Sequence, residues 1–320
     1  MDLSIVIPVY NEFDSLDTLH RSIHSTLGKL PELTWEVVYV DDGSSDNSYQ
    51  KLTGLAQEDP EHVIVVGFRR NFGQTAAIAA GIDHSKGETI ILMDADLQND
   101  PQDIPTMLEE IRQGYDVVSG WRKNRQDAFF TRTLPSRIAN WLISTVTGVH
   151  LHDYGCTLKA YRREVLTGFR LYGEMHRFIP AYATSVGAKL IEIPVHHHAR
   201  KFGKTKYGLM RTFKVILDLF TVKFLLSYAN KPIYLFGGMG ISLIVVSSAI
   251  LLFLFIRRVW FGISVLESPF FSMSIMFVIL GFQSILMGLI AELLVRTYHE
   301  SQRKPTYTIR QILKAGQELK

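Results

Sequence analysis

Short apolar runs alternate with amphipathic stretches along residues 1–205 of the chain. Near-continuous apolar runs separated by helical patterns are typical of a parallel sheet that helices cover on both faces. We therefore predict an α/β domain over residues 1–205, with a mostly parallel sheet. The predicted strands are Leu3–Val9, Glu36–Val40, Val63–Phe68, Thr89–Met93, Asp116–Ser119 and Lys189–Val195, and the predicted helices are 14–27, 46–58, 73–84, 101–113 and 136–147.

The apolar pattern changes in the last third of the chain. Pro232–Ile256 and Ser268–Ala291 contain no charged residue. A bilayer core about 30 Å thick needs about 20 apolar residues in a helix, so both segments are long enough to span it. We predict a two-helix transmembrane hairpin over residues 232–296. The alternative is a pair of buried helices in a large soluble core.

Residues 206–231 carry apolar side chains at three- and four-residue steps, with basic residues largely on other faces. This pattern predicts amphipathic juxtamembrane helices in the membrane interface, and the alternative is an ordinary surface helix. Lysines and arginines are concentrated in residues 201–231 and 296–314. The positive-inside rule then predicts that both ends of the chain, including a basic tail at 297–320, are cytoplasmic. Acidic residues within the first 30 positions argue against a signal peptide.

Composition adds three exclusions. The mean hydropathy is +0.10 and the net charge is +3, from 34 basic and 31 acidic residues. Such a chain is neither wholly disordered nor a nucleic-acid binder by bulk charge. Its single cysteine, Cys156, excludes an intramolecular disulfide. The hydropathy averages over a soluble domain and two apolar spans.

Acidic side chains follow two of the predicted strands. Asp41 and Asp42 come after the second run, and Asp94 and Asp96 come after the fourth. Ligands bind at the carboxyl ends of parallel strands, and clustered carboxylates repel each other unless a cation lies among them. Oxygen ligands suit Mg²⁺ or Mn²⁺. Taken alone, each of these residues could instead cap a helix or lie in a solvated turn. Glycine motifs of dinucleotide-binding and P-loop proteins do not occur at the expected places.

The order of these segments resembles glycosyltransferase family 2. The residues that carry the resemblance are IVIPVYNE at 5–12, VDDGS at 40–44, NFG at 71–73 and MDADLQ at 93–98. Four later segments resemble the polyprenyl-phosphate glycosyltransferase branch, which includes dolichol-phosphate mannose synthases and bactoprenol glucosyltransferases. They are GWR at 120–122, DYGC at 153–156, PVH at 194–196 and RKFGKTKY at 200–207. The resemblance covers nearly the whole chain and implies a nucleotide-sugar-binding fold of the GT-A type.

The resemblance also implies roles for single residues. Asp94 and Asp96 would hold the metal ion, with Gln98 as a further ligand. An acceptor phosphate would be bound by Arg122 and Arg200 and by the segment RTLPS at 132–136, which includes Arg132 and Ser136. Asp153 would orient the acceptor or act as a weak base. The nucleotide sugar would contact Pro8, Tyr10, Glu12, Asp41, Asp42, Asp94, Ala95 and Asp96. The segment Gly155–Lys159 departs from the pattern of relatives.

The implied reaction is inverting transfer of a hexose, with glucose as the family-weighted choice, from a UDP-sugar to undecaprenyl phosphate with Mg²⁺ or Mn²⁺. The enzyme would lie in the cytoplasmic membrane as a multi-pass protein, with its catalytic domain facing the cytoplasm. Two spans leave little room for a pore, so product translocation would need a separate flippase or a homo-oligomer. Two alternatives are a processive polysaccharide synthase, whose Gln-x-x-Arg-Trp motif does not occur here, and a catalytically silent nucleotide-sugar-binding scaffold.

Overall fold

The computed structural model describes residues 1–123, 134–166, 171, 175–199, 224, 231–302, 312–314 and 317–319. The chain divides into two units, Met1–Val222 and Lys223–Lys320. The predicted amphipathic segment 206–231 lies outside the described residues except for Phe224 and Lys231.

A mixed sheet forms the centre of the first unit, and seven strands belong to it among the described residues. Its strand order is β3-β2-β1-β4-β6-β5-β7. Only β6 runs antiparallel to its neighbours there, and the remaining described pairs are parallel. The strands are β1 Leu3–Val9, β2 Trp35–Asp41, β3 Val63–Gly67, β4 Thr89–Leu92, β5 Val117–Trp121, β6 Lys159–Arg162 and β7 Leu190–Pro194.

Helices cover both faces of this sheet, as the apolar pattern predicts. Alternate residues of a strand point to opposite faces, so Ile5 and Ile7 of β1 pack with α1 and α4, whereas Val6 packs with α3 and α7. The helices are α1 Leu16–Leu27, α2 Ser48–Glu58, α3 Gln74–His84, α4 Ile104–Arg112, α5 Leu134–Thr147, α6 Arg163–Leu166 and α7 Ile179–Ser185, with 3₁₀ turns at Pro101–Asp103 and Met175–Phe178.

The strand β6 was not predicted, because its sequence Lys-Ala-Tyr-Arg does not form an apolar run. Its charged residues are accommodated by backbone carbonyls: Lys159 donates to Tyr154 and Cys156, and Arg162 donates to Ile111 and Tyr115. Because β6 lies antiparallel between β4 and β5, the loop before it reaches the carboxyl ends of both strands. This insertion brings residues 153–158 to the same edge of the sheet as Asp94.

The second unit contains a helical hairpin of α8 Ile233–Phe261 and α9 Pro269–Gln302, followed by an antiparallel pair of short strands, β8 Ile312–Lys314 and β9 Gln317–Leu319. Both helices are long and apolar enough to cross a membrane. Only 17% and 22% of their apolar stretches are buried within the structure, whereas the core helix of a soluble protein is mostly buried. This exposure favours membrane spans over buried core helices.

Small residues allow the two long helices to pack closely. A Cβ on Gly240 would collide with the carbonyl oxygen of Gly281, and a Cβ on Gly281 would lie 2.7 Å from the carbonyl oxygen of Gly240. Hydroxyl groups add contacts, since Ser247 Oγ donates to the carbonyl of Ser274 at 2.7 Å. Small residues and interhelical hydrogen bonds of this kind stabilise helix pairs in lipid. Gly240 and Gly281 therefore permit the close approach of the two helices.

Candidate active site at the carboxyl ends of the strands

The loops after β1 and β2 are joined by hydrogen bonds into one wall of the site. Asn11 has a positive φ of 54°. Its backbone N–H donates to Ser44 Oγ at 2.9 Å, and its Oδ1 accepts from the N–H of Ser45 at 2.7 Å. The N–H of Glu12 donates to Ser48 Oγ at 3.0 Å. These bonds hold Asn11 and Glu12 beside the acidic end of β2, and strand pairing places Pro8 next to Val40.

Asp42 holds the loop that follows β3. Its buried carboxylate accepts hydrogen bonds from the backbone N–H groups of Phe72 at 2.7 Å and Gly73 at 2.9 Å, and from Asn71 Nδ2 at 2.9 Å. Burial raises the pKa of Asp42, although the two backbone bonds oppose the shift. Asp42 therefore fixes the position of residues 71–73 through contacts within the protein.

Asp41 differs from its neighbour in one respect. Its Oδ2 accepts from the N–H of Ser44 at 3.2 Å, but its buried Oδ1 has no hydrogen-bond partner among the residues that the structure describes. A buried acceptor without a partner costs about 1–3 kcal/mol. This oxygen fits a donor group on a bound molecule.

Asp94, Ala95 and Asp96 follow β4, separated from it by Met93. Gln74 Nε2 donates to Asp94 Oδ1 at 2.8 Å, and Thr157 Oγ1 donates to Asp94 Oδ2 at 2.9 Å. Burial and the nearby charge of Asp96 raise the pKa of Asp94. The backbone at Leu97 has a φ of 60°, a left-handed conformation that is uncommon for a residue with a branched side chain. Such local strain is concentrated at functional sites.

The residues after β4 fit a divalent cation. Asp94 and Asp96 are close enough for the charge of one to raise the pKa of the other, and a cation between them would relieve this repulsion. Carboxylate oxygens are the donors that Mg²⁺ and Mn²⁺ prefer. The backbone N–H of Gln98 donates to Asp96 Oδ1 at 3.1 Å, whereas its side-chain Nε2 lies 3.4 Å from His197 Nε2.

Arg122 and Asp153 form a two-point ion pair beside this acidic cluster. Arg122 Nε lies 2.7 Å from Asp153 Oδ2, and Arg122 Nη2 lies 2.9 Å from Asp153 Oδ1. Asp153 also accepts from the N–H of Gly155 at 3.1 Å, and its own N–H donates to Glu192 at 3.0 Å. Both oxygens of Asp153 are therefore engaged within the protein, and its carboxylate fixes the direction of the guanidinium.

The remaining predicted acceptor residues are not placed. Arg132 and Arg200 lie outside the described residues, and of Ser136 only the backbone, in α5, is described.

The three consecutive histidines at 196–198 do not converge on one point. His196 binds Asp103, His198 binds Asp100, and His197 faces Gln98. This agrees with the alternation of side chains along an extended segment.

Sequence reasoning did not assign roles to Gln74 and Thr157, which hold the two oxygens of Asp94. Gln74 follows the third strand in the segment that the parallel-sheet rule selects, so its position was a usable signal. Thr157 lies in the segment that departs from the pattern of relatives. Asn99 Nδ2 donates to Thr157 Oγ1 at 2.9 Å and completes this chain of contacts.

Comparison with known proteins agrees with this geometry. The family model described as "Glycosyl transferase family 2" matches residues 4–169, which cover the sheet through β6 and the acidic cluster. The chain belongs to glycosyl transferase family 2. Its fold is of the GT-A type. The described residues include the seven-stranded sheet, and the carboxylates of Asp94 and Asp96 follow strand β4.

Two curated relatives match almost the full length of the chain. A dodecaprenyl-phosphate galacturonate synthase of Rhizobium johnstonii is 42% identical over 98% of this chain and 93% of its own length. An undecaprenyl-phosphate 4-deoxy-4-formamido-L-arabinose transferase of an Enterobacter species is 38% identical over 98% of this chain and 94% of its own length.

Solved structures show the same fold at low sequence identity. Glucosyl-3-phosphoglycerate synthase from Mycobacterium tuberculosis, in complex with Mn²⁺ and UDP-glucose, has a TM-score of 0.52 and 16% identity. The match covers 69% of this chain and 78% of that structure.

Proposed function

We propose that this enzyme transfers a sugar from a UDP-linked donor to the phosphate of a polyprenyl phosphate, with inversion at the anomeric carbon. The observation that carries the proposal is the pair Asp94 and Asp96 after β4, in which Gln74 and Thr157 hold Asp94 and the N–H of Gln98 donates to Asp96. The two full-length relatives, whose names specify transfer to dodecaprenyl and undecaprenyl phosphate, support the acceptor class.

The donor would bind along the wall formed by residues 8–12 and 41–45. Asp41 offers a buried oxygen without a described partner, which suits an N–H or O–H of the base or ribose. Asp42 holds residues 71–73 in place and so shapes the floor beneath the nucleotide. Pro8, Tyr10 and Glu12 complete this wall. The fold neighbour that contains UDP-glucose supports a nucleotide-sugar donor.

A bound Mg²⁺ or Mn²⁺ at Asp94 and Asp96, with Gln98 beside them, would neutralise the charge that grows on the leaving diphosphate. The fold neighbour that contains Mn²⁺ supports this choice of ion. The protein's own contribution is to hold both carboxylates in place. Gln74 and Thr157 each donate to Asp94, and the N–H of Gln98 donates to Asp96 Oδ1 at 3.1 Å.

The acceptor phosphate needs little activation. A phosphomonoester has its second pKa near 6, so its oxygens are largely ionised at neutral pH. The task of the site is to bring two anions together, which arginine does well because its planar fork binds phosphate at two points. We assign this role to Arg122, with Arg132, Ser136 and Arg200 as the further contacts implied by the resemblance. Asp153 then positions Arg122 and does not act as a base.

The two long helices would anchor the enzyme to the membrane that holds its lipid acceptor. A multi-pass arrangement with both ends in the cytoplasm follows from the basic residues on either side of the hairpin. The basic segment 206–231 would add attraction to anionic lipid of about 1 kcal/mol per lysine or arginine near the surface. This arrangement keeps the catalytic unit near the phosphate head group.

The identity of the transferred sugar is the most specific part of the proposed function. The sequence resemblance favours glucose, whereas the two relatives are named for galacturonate and for 4-deoxy-4-formamido-L-arabinose. The test is to incubate the purified chain with undecaprenyl phosphate, Mn²⁺ and one labelled UDP-sugar at a time. Label in the lipid fraction with UDP-glucose alone supports glucose. Label with UDP-galacturonate or the arabinose donor replaces that choice, and no label with any donor contradicts the proposed reaction.

A further inference from the structure

A cluster of histidines lies at the edge of the sheet opposite the candidate active site. His20 and His24 lie one turn apart on α1, Asp59 follows α2, and His62 precedes β3. The active site lies after the carboxyl ends of the strands, whereas this cluster lies near the amino ends of β2 and β3. None of these four residues takes part in the site described above, and they come from two separate stretches of the chain, α1 and the connection between α2 and β3.

The side chains converge on the carboxylate of Asp59. His24 Nε2 is 2.6 Å from Asp59 Oδ2, and His20 Nε2 is 4.0 Å from the same oxygen. One ligand atom each from His20, His24 and Asp59 lie within 4.8 Å of one another. His62 Nδ1 lies 2.8 Å from the other oxygen, Asp59 Oδ1. Three imidazole rings therefore surround one carboxylate.

Two of these rings have the spacing of a helical metal site. Residues four apart lie on the same face of a helix, so His20 and His24 present their rings side by side, with ring centres 4.7 Å apart. Zn²⁺ in proteins is bound by histidine nitrogen and carboxylate oxygen, with three protein ligands and a water in open sites. The set of two histidines and one carboxylate matches this chemistry, whereas Mg²⁺ favours oxygen ligands throughout.

Neighbouring side chains contact the candidate ligands in the way that the residues around a metal site contact its ligands. Ligating histidines commonly donate their second ring N–H to a fixed acceptor. His20 Nδ1 is 3.3 Å from the hydroxyl of the buried Tyr39, which can accept from that N–H. The Trp35 ring stacks on His62 at 4.0 Å and meets the edge of His24 at 4.8 Å. His24 is 37% exposed, which leaves a path for an ion to enter.

We propose that His20, His24 and Asp59 bind one Zn²⁺ ion, with His62 positioning Asp59, at a site separate from Asp94 and Asp96. The ion would replace the direct contact between His24 and Asp59 and would join α1 to the connection between α2 and β3. The expected effect is on stability of the catalytic unit. The expected affinity depends on deprotonated ligands and therefore falls at acidic pH.

Cobalt is the probe for this site, because tetrahedral Co²⁺ has visible absorption bands that an all-oxygen octahedral site largely lacks. The full chain, carrying no histidine tag and an Asp96→Ala substitution that weakens the other cation site, is stripped with EDTA and titrated with CoCl₂. Intense bands that ZnCl₂ displaces are expected. His24→Ala, and Asp59→Asn as the variant of similar shape, should each weaken Co²⁺ binding at least about 10-fold.

The control is His84→Ala, which removes an exposed histidine at the end of α3. It should bind Co²⁺ as the parent does. Zn²⁺ at about 100 times its Kd should raise the Tm of the catalytic unit by roughly 5–10 °C in the parent and not in His24→Ala. Absence of the bands in the parent, or equal Co²⁺ affinity in the parent and both cluster variants, would overturn the proposal.

Discussion

Arg122 and Asp153 lie face to face with two hydrogen bonds between them, Nε to Oδ2 at 2.7 Å and Nη2 to Oδ1 at 2.9 Å. Both side chains are largely buried, at 15% and 3% exposure, so little solvent screens the pair. The carboxylate that the family resemblance places near the acceptor is thus committed to an arginine of the same site. We therefore propose that Asp153 orients Arg122.

Replacing the carboxylate of Asp153 distinguishes the orientation of Arg122 from base catalysis. Asp153→Asn should lower kcat by about 10- to 100-fold, because one charged hydrogen bond is worth roughly 1.5–3 kcal/mol. The shape of the pH profile should stay as in the wild type. A base role predicts instead that the acidic limb of the profile disappears. Steady-state rates measured across pH distinguish the two outcomes.

The double variant gives a second check on the same pair. If Asp153 acts through Arg122, the Arg122→Ala and Asp153→Ala losses should not add, and the double variant should be about as active as Arg122→Ala alone. Fully additive losses would show that the two side chains act independently.

Substitution of Gly43 should destabilise the protein through a steric collision, in addition to the effect of its positive φ. Its φ is 66°, and an added Cβ would collide with the backbone of Arg70 in the loop that Asp42 holds. Gly43→Ala should lower the free energy of unfolding by about 1–3 kcal/mol more than a matched control and weaken donor binding. The control is Gly148→Ala, whose φ of 75° is close to that of Gly43 but whose Cβ would meet open space. Equal losses in urea unfolding of the two variants would contradict this explanation.

Cys156 should be unreactive in the folded protein. The side chain is 1% exposed, and burial, with the nearby charge of Asp153, raises the pKa of its thiol to about 11. Because the raised pKa favours the neutral thiol, about one thousandth is ionised at pH 8, against about a quarter for a free cysteine of pKa about 8.5. Iodoacetamide should label the folded chain at least about 100-fold more slowly than the urea-unfolded chain. Similar rates in both states would show that the thiol is accessible.

Because Cys156 should not react in the folded protein, a single introduced cysteine can report the membrane orientation of the hairpin. The turn between α8 and α9 contains the exposed Glu267. With Glu267→Cys, a membrane-impermeant maleimide should label intact cells, because the predicted orientation places this turn outside the cytoplasm. Gln57→Cys on α2 is the control and should be labelled only after permeabilisation. The reverse pattern would invert the proposed orientation.

The sequence predicted the elements that rest on hydrophobic periodicity and missed those that rest on distant contacts. Helix α3 was predicted as 73–84 and extends over Gln74–His84. Strand β6 was missed because its charged residues are satisfied by backbone carbonyls. Lys159 donates to Tyr154 in the loop before the strand, and Arg162 donates to the distant Ile111, which no apolar pattern records.

The residues of the candidate site also fall into those that a sequence pattern could select and those that only the folded structure brings together. Asp94 and Asp96 follow a strand and could be selected by position, whereas Thr157 reaches Asp94 only through the antiparallel insertion of β6. The cluster around Asp59 was also missed, because His24 is 35 residues away along the chain. Its convergence depends on how α1 packs against the β2–β3 edge.

The most direct test of the account is the appearance of labelled sugar in lipid, compared between the wild type and Asp96→Ala. Purified protein in detergent is incubated with undecaprenyl phosphate, Mn²⁺ and labelled donor, and the lipid phase is extracted and counted. We expect label in lipid with the wild type, and a loss of at least about 100-fold with Asp96→Ala, since the charge on the leaving diphosphate is then poorly neutralised. Wild-type protein that binds UDP-sugar but transfers none of it, or Asp96→Ala with undiminished transfer, would contradict it.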